Sequence, residues 1–336
     1  MPIAARVPRF RGGAVIEWDD HEYREPGPGE LRIRIAANAI CGTDRNEYLS
    51  GSSIVPGHEA AGVVSDVGPA TTVPVGTPGV IYLMDFCGTC RSCRVGATNQ
   101  CLAKRGDVGQ NRDGGYGPYA LVHESQFFPV PAGLDLGTAT MLLDVMGTSS
   151  HAIARARLLR SDIESAYVAG AGPIGLGLLV MLKVRFGQDF PVSISDISPW
   201  RRKRAEELGG DPIDALDREA VLSRTPDISF DSSGRQSARE LALAAAGKRG
   251  VLVCIGHGEG IQLNVSADLI APERAVVGSE YFRYDELAEN LGLLSDNEDY
   301  ISRVITHRLP ADRIDEAFDL FFSGETGKVV VTQERR

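Results

Sequence analysis

The spacing of apolar residues changes near Asp144. Before that residue, apolar and polar residues alternate in Leu31–Ile35, which follows a turn rich in proline and glycine, Pro26–Gly29, and Gly57–Val67 is expected to be another strand. A period of two is typical of a strand with one buried face. Short strands with glycine at the corners favour a small barrel over a parallel sheet. We therefore expect the first part of the chain to be β-rich.

After Asp144, short apolar runs alternate with segments of helical length. The expected strands are Ala166–Ala169, Pro191–Ser195, Ile228–Asp231, Gly250–Ile255 and Ala275–Gly278. The expected helices are Pro173–Phe186, Pro199–Leu208, Gln236–Ala246 and, nearer the end, Ile314–Phe322, which is followed by a strand at Lys328–Thr332. Alternation of strand and helix predicts an α/β domain with a doubly wound parallel sheet, the Rossmann arrangement.

The first of these strands runs into a glycine-rich turn, SAYVAGAGPIGLG, that contains the pattern Gly-x-Gly-x-x-Gly. Its first glycine permits a sharp turn, the second lets backbone amides approach a pyrophosphate, and the third lets the helix pack close to the sheet. The free amides at the helix N-terminus attract phosphate. The residues that we assign to cofactor binding in this turn are Gly170, Gly172, Pro173, Ile174 and Gly175.

The end of the next strand predicts which dinucleotide binds. Asp196 stands where an acidic residue holds the ribose hydroxyls of NAD, and its carboxylate would repel the 2′-phosphate of NADP. NAD is therefore favoured, although Arg201 and Arg202 keep NADP as a second candidate. Ser233 follows the strand Ile228–Asp231, in the crevice where open sheets bind ligands, so it is a further candidate for contact with the cofactor.

Composition and charge exclude several classes of partner. The chain has 336 residues, enough for two domains, and a formal net charge of −10, which argues against nucleic acid or an anionic membrane as its main partner. The first residues contain no apolar export segment, and the longest apolar run, Leu176–Val184, is interrupted by Lys183. We therefore expect a cytoplasmic protein that acts on a small molecule.

Four of the six cysteines lie in one loop, and without an export signal they are expected to be reduced thiols. They are Cys87, Cys90, Cys93 and Cys101. Four thiolates in tetrahedral array suit zinc, and because no ligand position stays open for substrate, such a site would be structural. An iron–sulfur site and plain free thiols are the alternatives.

Cys41 in the segment CGTD and His58 in the segment PGHE could be two ligands of a second metal ion. From the residues alone, each could equally be an ordinary core or surface residue.

The order of these motifs along the chain is informative. CGTD, then GHEAAGVVSDVG, then the four-cysteine loop, then GAGPIG with Asp196 resembles the zinc-dependent medium-chain alcohol dehydrogenase family, and within it the sorbitol, threonine and related polyol dehydrogenases. The resemblance covers essentially the whole chain. It implies a GroES-like barrel catalytic domain at residues 1–145, a Rossmann NAD-binding domain at 146–280, and a return to the catalytic domain at 281–336.

The resemblance also implies two zinc ions per chain, one structural and one catalytic. Cys41 and His58 would bind the catalytic zinc, and Glu59 would lie beside the metal and ligate it directly or through water. The third ligand is an acid in the polyol enzymes, and Asp144 is the matching residue here. The alternative is that Asp144 caps the following helix.

By the same resemblance, the reaction is NAD-dependent interconversion of a secondary alcohol (a polyol, sugar or cyclitol) and its ketone. Thr43 would accept the alcohol proton, and Asp44 would hold His58 in place. The alternatives are an amino-alcohol substrate, as in threonine dehydrogenases, and a catalytically silent sensor that binds zinc and NAD. The family also implies a homo-oligomer, a dimer or tetramer.

The chain departs from the family at two places, of which one concerns the path of the proton and the other the substrate pocket. Asn46 stands where many relatives have a histidine that passes the proton to solvent, and asparagine cannot take up a proton at neutral pH. The segment between Cys41 and His58 is also shorter than in the polyol enzymes. We therefore expect a more open substrate pocket.

Overall fold

The computed structural model describes residues 1–333. Over this range the chain forms fifteen strands and ten α-helices, joined by turns and short 3₁₀ and π segments. The strands are β1 (Ile3–Gly12), β2 (Val15–Tyr23), β3 (Glu30–Ala39), β4 (Ala60–Val67), β5 (Pro78–Ile81), β6 (Tyr119–His123), β7 (Phe127–Pro129), β8 (Ala166–Ala169), β9 (Val192–Asp196), β10 (Asp211–Asp214), β11 (Ile228–Asp231), β12 (Val251–Cys254), β13 (Ala275–Gly278), β14 (Ile305–Pro310) and β15 (Lys328–Thr332). The helices are α1 (Arg45–Ser50), α2 (Arg91–Arg94), α3 (Leu136–Ala139), α4 (Ser149–Arg157), α5 (Pro173–Phe186), α6 (Pro199–Glu207), α7 (Arg218–Leu222), α8 (Gln236–Ala245), α9 (Glu286–Ile301) and α10 (Ile314–Phe322).

Strands β8 to β13 form a parallel sheet in the order β10-β9-β8-β11-β12-β13. The chain moves outward from β8 in one direction and then returns to place β11 on its other side, which is the doubly wound arrangement. This confirms the predicted fold class. The crevice at the carboxyl ends of β8 and β11 is the point at which such sheets bind ligands.

The strand at Asp211–Asp214 was not predicted from the sequence. It lies at the edge of the sheet, carries two aspartates and a proline, and buries only Ile213. A short edge strand of this kind has too few apolar residues to produce a recognisable period.

A second sheet is built mainly from the first part of the chain. Among the described residues its order is β14-β15-β3-β4-β5-β7, with β6 also paired to β3. All pairs are antiparallel except β14 with β15. The alternation predicted for Leu31–Ile35 appears as burial of Leu31, Ile33 and Ile35. Arg32, which alternation would place outside, is also buried and is neutralised by Asp66 at 2.6 Å.

The last part of the chain returns to this second sheet. β15 pairs with β3, and α10 packs its apolar face against the β1–β2 hairpin, where the rings of Phe318 and Phe10 lie 5.0 Å apart. Helix α9 was not predicted, because Gly292 and the non-helical Asn297 weaken its pattern. It packs against α5, so the last part of the chain contacts the second sheet and also a helix of the parallel-sheet region.

One hydrophobic core joins the two sheets. Its buried members include Val80 and Tyr82 from the first part of the chain, Val168 and Leu176 from the parallel sheet, and Phe282 from the connection to α9. The two sheets are therefore held against each other by packing as well as by the chain. Within residues 1–333, we find no helix long and apolar enough to cross a membrane.

A buried ion pair fixes the carboxyl ends of β11 and β12. The carboxylate of Asp231 is fully buried, and Arg239 of α8 donates from Nε to its Oδ2 at 2.7 Å. The other guanidinium nitrogens of Arg239 donate to the carbonyls of Gly256 and Glu259, beyond β12. Oδ1 of Asp231 accepts from the backbone N–H of Ser233 at 2.9 Å. Both strand ends therefore depend on one arginine.

Replacing Arg239 tests this dependence. Arg239→Met keeps most of the side-chain volume but leaves a buried carboxylate without its counter-charge, and should lower the free energy of unfolding by about 3–5 kcal/mol. Arg235→Met is the matched control, because its ion pair with Glu259 is exposed, with side chains 72% and 48% accessible. This control variant should lower the free energy of unfolding by less than about 1 kcal/mol. Urea unfolding followed by tryptophan fluorescence compares the variants, and equal stability of the two would contradict this account.

Candidate active site and cofactor cleft

The glycine-rich turn between β8 and α5 has the geometry that its sequence predicts. Gly170 has a φ of +94°, where any side chain is strained, and a Cβ on Gly175 would lie 1.8 Å from the carbonyl oxygen of Gly170. Gly172 is the N-cap of α5, and Pro173 occupies its first turn. The turn therefore passes tightly over the end of the sheet and leaves the first amides of α5 free to meet an anion.

Asp196 ends β9 beside this turn. Its Oδ2 accepts a hydrogen bond from the backbone N–H of Ala171 at 2.8 Å, and its Oδ1 accepts one from the backbone N–H of Ser198 at 2.8 Å. Nη1 of Arg201 lies 3.9 Å from Oδ2. The carboxylate thus links the glycine-rich turn to the start of α6 and is held in the wall of the cleft.

A cleft of about 690 Å³ runs along the carboxyl ends of these strands. The sequence candidates that line it are Gly170, Gly172, Pro173, Asp196, Arg201 and Ser233. Ile174 instead lines the neighbouring cavity, and Gly175 lies under the turn. Three arginines that sequence reasoning missed also line the cleft: Arg45, Arg218 and Arg235. With Arg201 they give a mainly positive wall, which suits a ligand that carries phosphates.

Four buried donor side chains meet beside this cleft. Cys41 follows β3, His58 and Glu59 precede β4, and Asp144 begins the π-helical turn Asp144–Thr148 that leads into α4. One ligand atom from each of the four lies within 4.8 Å of the ligand atoms of the other three. Chain segments that are remote in sequence therefore converge on one point.

Asp144 is the link within this cluster. Its Oδ2 accepts a hydrogen bond from the thiol of Cys41 at 3.1 Å and lies 3.5 Å from Nε2 of His58. The N-cap of α4 is Thr148. The alternative in which Asp144 merely caps the helix is therefore wrong, because its carboxylate points at the two other donors.

The buried donors perturb one another strongly. Burial would raise the pKa of Asp144, but the hydrogen bond and charge of His58 outweigh it and lower that pKa to about 2. Burial would lower the pKa of His58, but the negative charge of Asp44 and the hydrogen bond with Asp144 raise it well above its ordinary value. Burial, with the charge of Asp144, raises the pKa of the Cys41 thiol. The cluster therefore retains a proton or a cation to balance its negative charge.

Asp44 lies beside the His58 ring, at the nitrogen that faces away from Asp144. Its Oδ1 is 3.2 Å from His58 Nδ1, and its Oδ2 accepts from the hydroxyl of Tyr116 at 2.6 Å and from the backbone N–H of Cys41 at 3.0 Å. Within the described residues His58 Nδ1 makes no well-aligned hydrogen bond, so the contact with Asp44 is mainly electrostatic. Tyr116, which the sequence did not indicate, anchors this carboxylate.

Glu59 has a partner that the sequence did not indicate. The amine of Lys328, at the start of β15, donates to its Oε1, and both side chains are fully buried. Burial raises the pKa of Glu59, but its carboxylate in turn raises the pKa of Lys328 despite the burial of the amine. Because the two groups are in direct contact, we treat the pair as charged.

The cluster of four buried donors opens onto a cavity of about 390 Å³. Cys41, His58 and Asp144 line it together with Thr43, and Ile174 lines it from the side of the parallel sheet. Gly42, Ser232 and Ser233 line both this cavity and the cofactor cleft. A ligand in the cleft and a molecule at the metal cluster would therefore be neighbours. The structure places Asn46 on the exposed side of α1.

The four-cysteine loop folds back on itself through two glycines with positive φ, Gly88 and Gly96. The Sγ atoms of Cys87 and Cys93 lie 4.0 Å apart and those of Cys90 and Cys93 lie 3.5 Å apart. A tetrahedral site with zinc–sulfur bonds of about 2.3 Å needs sulfur–sulfur distances of about 3.8 Å. The loop therefore has the dimensions of a zinc site.

The backbone of this loop also favours thiolates. The N–H of Cys90 donates to Cys87 Sγ at 3.3 Å, and the N–H of Leu102 donates to Cys90 Sγ at 3.4 Å. Hydrogen bonds from the backbone N–H groups of Thr89 and Cys90 lower the pKa of Cys87 to about 6. Thiolates are the form in which cysteine binds metal.

The second cluster also fits zinc. One thiol, one imidazole and one carboxylate are ligands that catalytic zinc sites use, with a fourth position left for substrate. Oδ1 of Asp144 and Oε2 of Glu59 are buried and, within residues 1–333, lack hydrogen-bond partners. A cation would compensate these buried oxygens as well as the charge of the cluster.

Comparison with known proteins identifies the family. Residues 27–132 match the alcohol dehydrogenase GroES-like domain. An L-threonine 3-dehydrogenase from Mesorhizobium japonicum is 31% identical over 332 residues, which cover 91% of this chain and 92% of that protein. The chain therefore belongs to the zinc-dependent medium-chain alcohol dehydrogenase family.

Two solved structures share the fold. One is an alcohol dehydrogenase from Escherichia coli CFT073 in complex with NADH, with a TM-score of 0.87 and 22% sequence identity. The match covers 97% of this chain and 98% of that protein's chain. The other is a Sinorhizobium meliloti protein solved with bound NADP, with a TM-score of 0.84 and 24% sequence identity. The match covers 98% of this chain and 99% of that protein's chain. At these identities the likeness concerns the fold alone, and the two proteins bind different cofactors.

Proposed function

We propose that the chain is a zinc-dependent, NAD-linked oxidoreductase that interconverts a secondary alcohol and its ketone. The observation that carries this proposal is the convergence of Cys41, His58, Glu59 and Asp144 on one cavity that shares its wall with the cofactor cleft. A redox reaction between an alcohol and a dinucleotide requires that the two lie side by side. The shared wall supports such an arrangement.

Cys41, His58 and Asp144 would hold the catalytic zinc, and the four-cysteine loop would hold the structural zinc. When bound at the first site, zinc supplies a Lewis acid that polarises the substrate oxygen and lowers the pKa of the hydroxyl. Asp44 orients His58 from the opposite side. Lys328 neutralises Glu59, a member of the cluster whose carboxylate would otherwise be a further uncompensated buried charge.

Thr43 is the group that accepts the substrate proton in this proposal, because its hydroxyl lines the cavity and is exposed to it. Asn46, on the outer side of α1, cannot pass the proton on. The proton therefore leaves Thr43 through water or through a hydroxyl of the bound cofactor. The exposed position of Thr43 supports such a route.

Asp196 favours NAD as the cofactor. When bound, NAD would supply the hydride transfer. The free amides at the start of α5 and the arginines of the cleft would bind its pyrophosphate. The substrate class that we propose is a polyol, sugar or cyclitol. An amino alcohol is the second candidate, which the 31% identity to a threonine dehydrogenase favours.

Reduction of NAD tests the function. Absorbance at the nicotinamide band should rise when the zinc-loaded protein meets NAD and a member of a panel of polyols, sugars, cyclitols, amino alcohols and simple secondary alcohols. A zinc chelator should abolish that rise, because the metal polarises the substrate oxygen. His58→Ala should abolish it too. One bound zinc ion per chain without turnover of any class would favour the sensor instead, whereas binding of NAD and two zinc ions without turnover would indicate an unusual substrate outside the panel.

Asp196 should decide the choice of cofactor. Asp196→Ser removes both a hydrogen-bond acceptor for the ribose and a repulsive charge, so the ratio of kcat/KM for NADP over NAD should rise by roughly tenfold or more. Asp211→Ser is the control, because this aspartate pairs with Arg224 at 2.6 Å at the opposite end of the edge strand β10. An unchanged ratio in Asp196→Ser, measured with the best alcohol of the panel, would show that another residue selects the cofactor.

A further inference from the structure

Tyr281 is an unusual residue in the wall of the catalytic cavity. Its φ is +48°, in the left-handed region that a bulky side chain rarely adopts. Its side chain is 8% exposed and lines the same cavity as Cys41, His58 and Asp144. A strained residue at such a position calls for a functional reason.

Contacts on both sides hold the backbone in this conformation. Asn99 donates from Nδ2 to the carbonyl of Glu280 at 2.7 Å, and the hydroxyl of Tyr82 donates to the carbonyl of Phe282 at 2.6 Å. Strain of this kind persists only where neighbouring contacts over-determine the structure. Asn99 lies within the four-cysteine loop, two residues before Cys101, so the proposed structural zinc site also supports this segment.

The ring of Tyr281 is fixed as well. Its centroid lies 5.4 Å from that of Tyr82 and 4.2 Å from that of Phe282. Phe282 in turn packs on Gly147, where a Cβ would meet the ring at 2.4 Å, and Gly147 belongs to the π-helical turn that begins with Asp144. Tyr281 and Asp144 are therefore held on elements that pack against each other.

Two buried polar atoms of these residues are unpaired. In the part of the chain that the structure describes, Oδ1 of Asp144 has no hydrogen-bond partner, and the hydroxyl of Tyr281 has only the backbone N–H of Leu83 nearby, which would donate to its oxygen and leave its proton free. One is a donor and the other an acceptor, and a buried polar group that stays unpaired is destabilising. Burial raises the pKa of Tyr281, and among the surrounding charges Asp144 contributes most to this rise. The phenol therefore stays protonated near neutral pH and remains a donor.

We propose that Tyr281 is a positioning residue: when Oδ2 of Asp144 binds zinc, the carboxylate turns so that Oδ1, which has no hydrogen-bond partner among the described residues, accepts a hydrogen bond from the hydroxyl of Tyr281. Oδ2 is the oxygen that faces Cys41 and His58, so binding through it leaves Oδ1 for a second partner. Carboxylates that bind metals are held in turn by such hydrogen bonds. The inference rests on the proposed role of Asp144 as a zinc ligand.

Tyr281→Phe tests this role, because it removes only the hydroxyl. The dissociation constant of the catalytic zinc, measured by competition with a chromophoric chelator, should rise by roughly tenfold. Zinc at the four-cysteine loop should be unaffected, which also shows that the variant folds. Tyr284→Phe is the matched control, because its hydroxyl donates to the carbonyl of Phe127 at 2.7 Å. It should leave both zinc affinities unchanged.

A double variant shows whether the effect passes through Asp144. In an Asp144→Ala background, Tyr281→Phe should weaken zinc binding no further. An additional loss of the same size in that background would overturn the proposal, as would wild-type zinc affinity in Tyr281→Phe. A raised KM for the alcohol with unchanged zinc affinity would show that the hydroxyl contacts substrate instead. Because zinc is titrated without alcohol or cofactor, absence of dehydrogenase activity would leave this test intact.

Discussion

Burial of Cys41, His58, Glu59 and Asp144 in one small volume is the constraint on which the active site depends. Acidic groups removed from water need a counter-charge, and leaving one unpaired is strongly destabilising. Lys328 neutralises Glu59. The remaining donors have one imidazole between them, so the cluster needs a retained proton or a cation at its centre to balance its charge, and we propose that zinc takes this position.

The fold meets this constraint by bringing four distant segments together. The end of β3, the approach to β4, the π-helical turn before α4 and the start of β15 each supply part of the cluster. The common core then holds the parallel sheet against this region, so that Ser232 and Ser233 line both the cofactor cleft and the metal cavity. Positioning of a cofactor beside a substrate therefore follows from packing of the two sheets.

Local signals allowed much of the fold to be predicted from the sequence. The bounds of β8, β11, β13, α5 and α10 agree with the predicted ones, because buried strands and apolar helices have a clear length and period. The glycines of the turn were equally predictable, since their spacing reflects backbone conformation. The cysteine spacing likewise indicated a metal loop. These features all depend on residues that are close in sequence.

The partners that complete the site could not be predicted in this way. Glu59 and Lys328 are 269 residues apart, and neither carries a local sign of the other. Tyr281 is distinguished by its backbone angle and its unpaired hydroxyl, which only the folded chain shows. Asp144 was assigned through the family resemblance, and the structure adds its contacts with Cys41 and His58.

The visible spectrum of the protein with cobalt in place of zinc tests the central claim most directly, because cobalt absorption depends on the ligand set. The account predicts two kinds of site: a closed four-thiolate site, and a mixed site whose bands shift when imidazole binds at the open position. The shifting bands should vanish in Cys41→Ser. A spectrum of the four-thiolate site alone, or shifting bands that persist without Cys41, would contradict it.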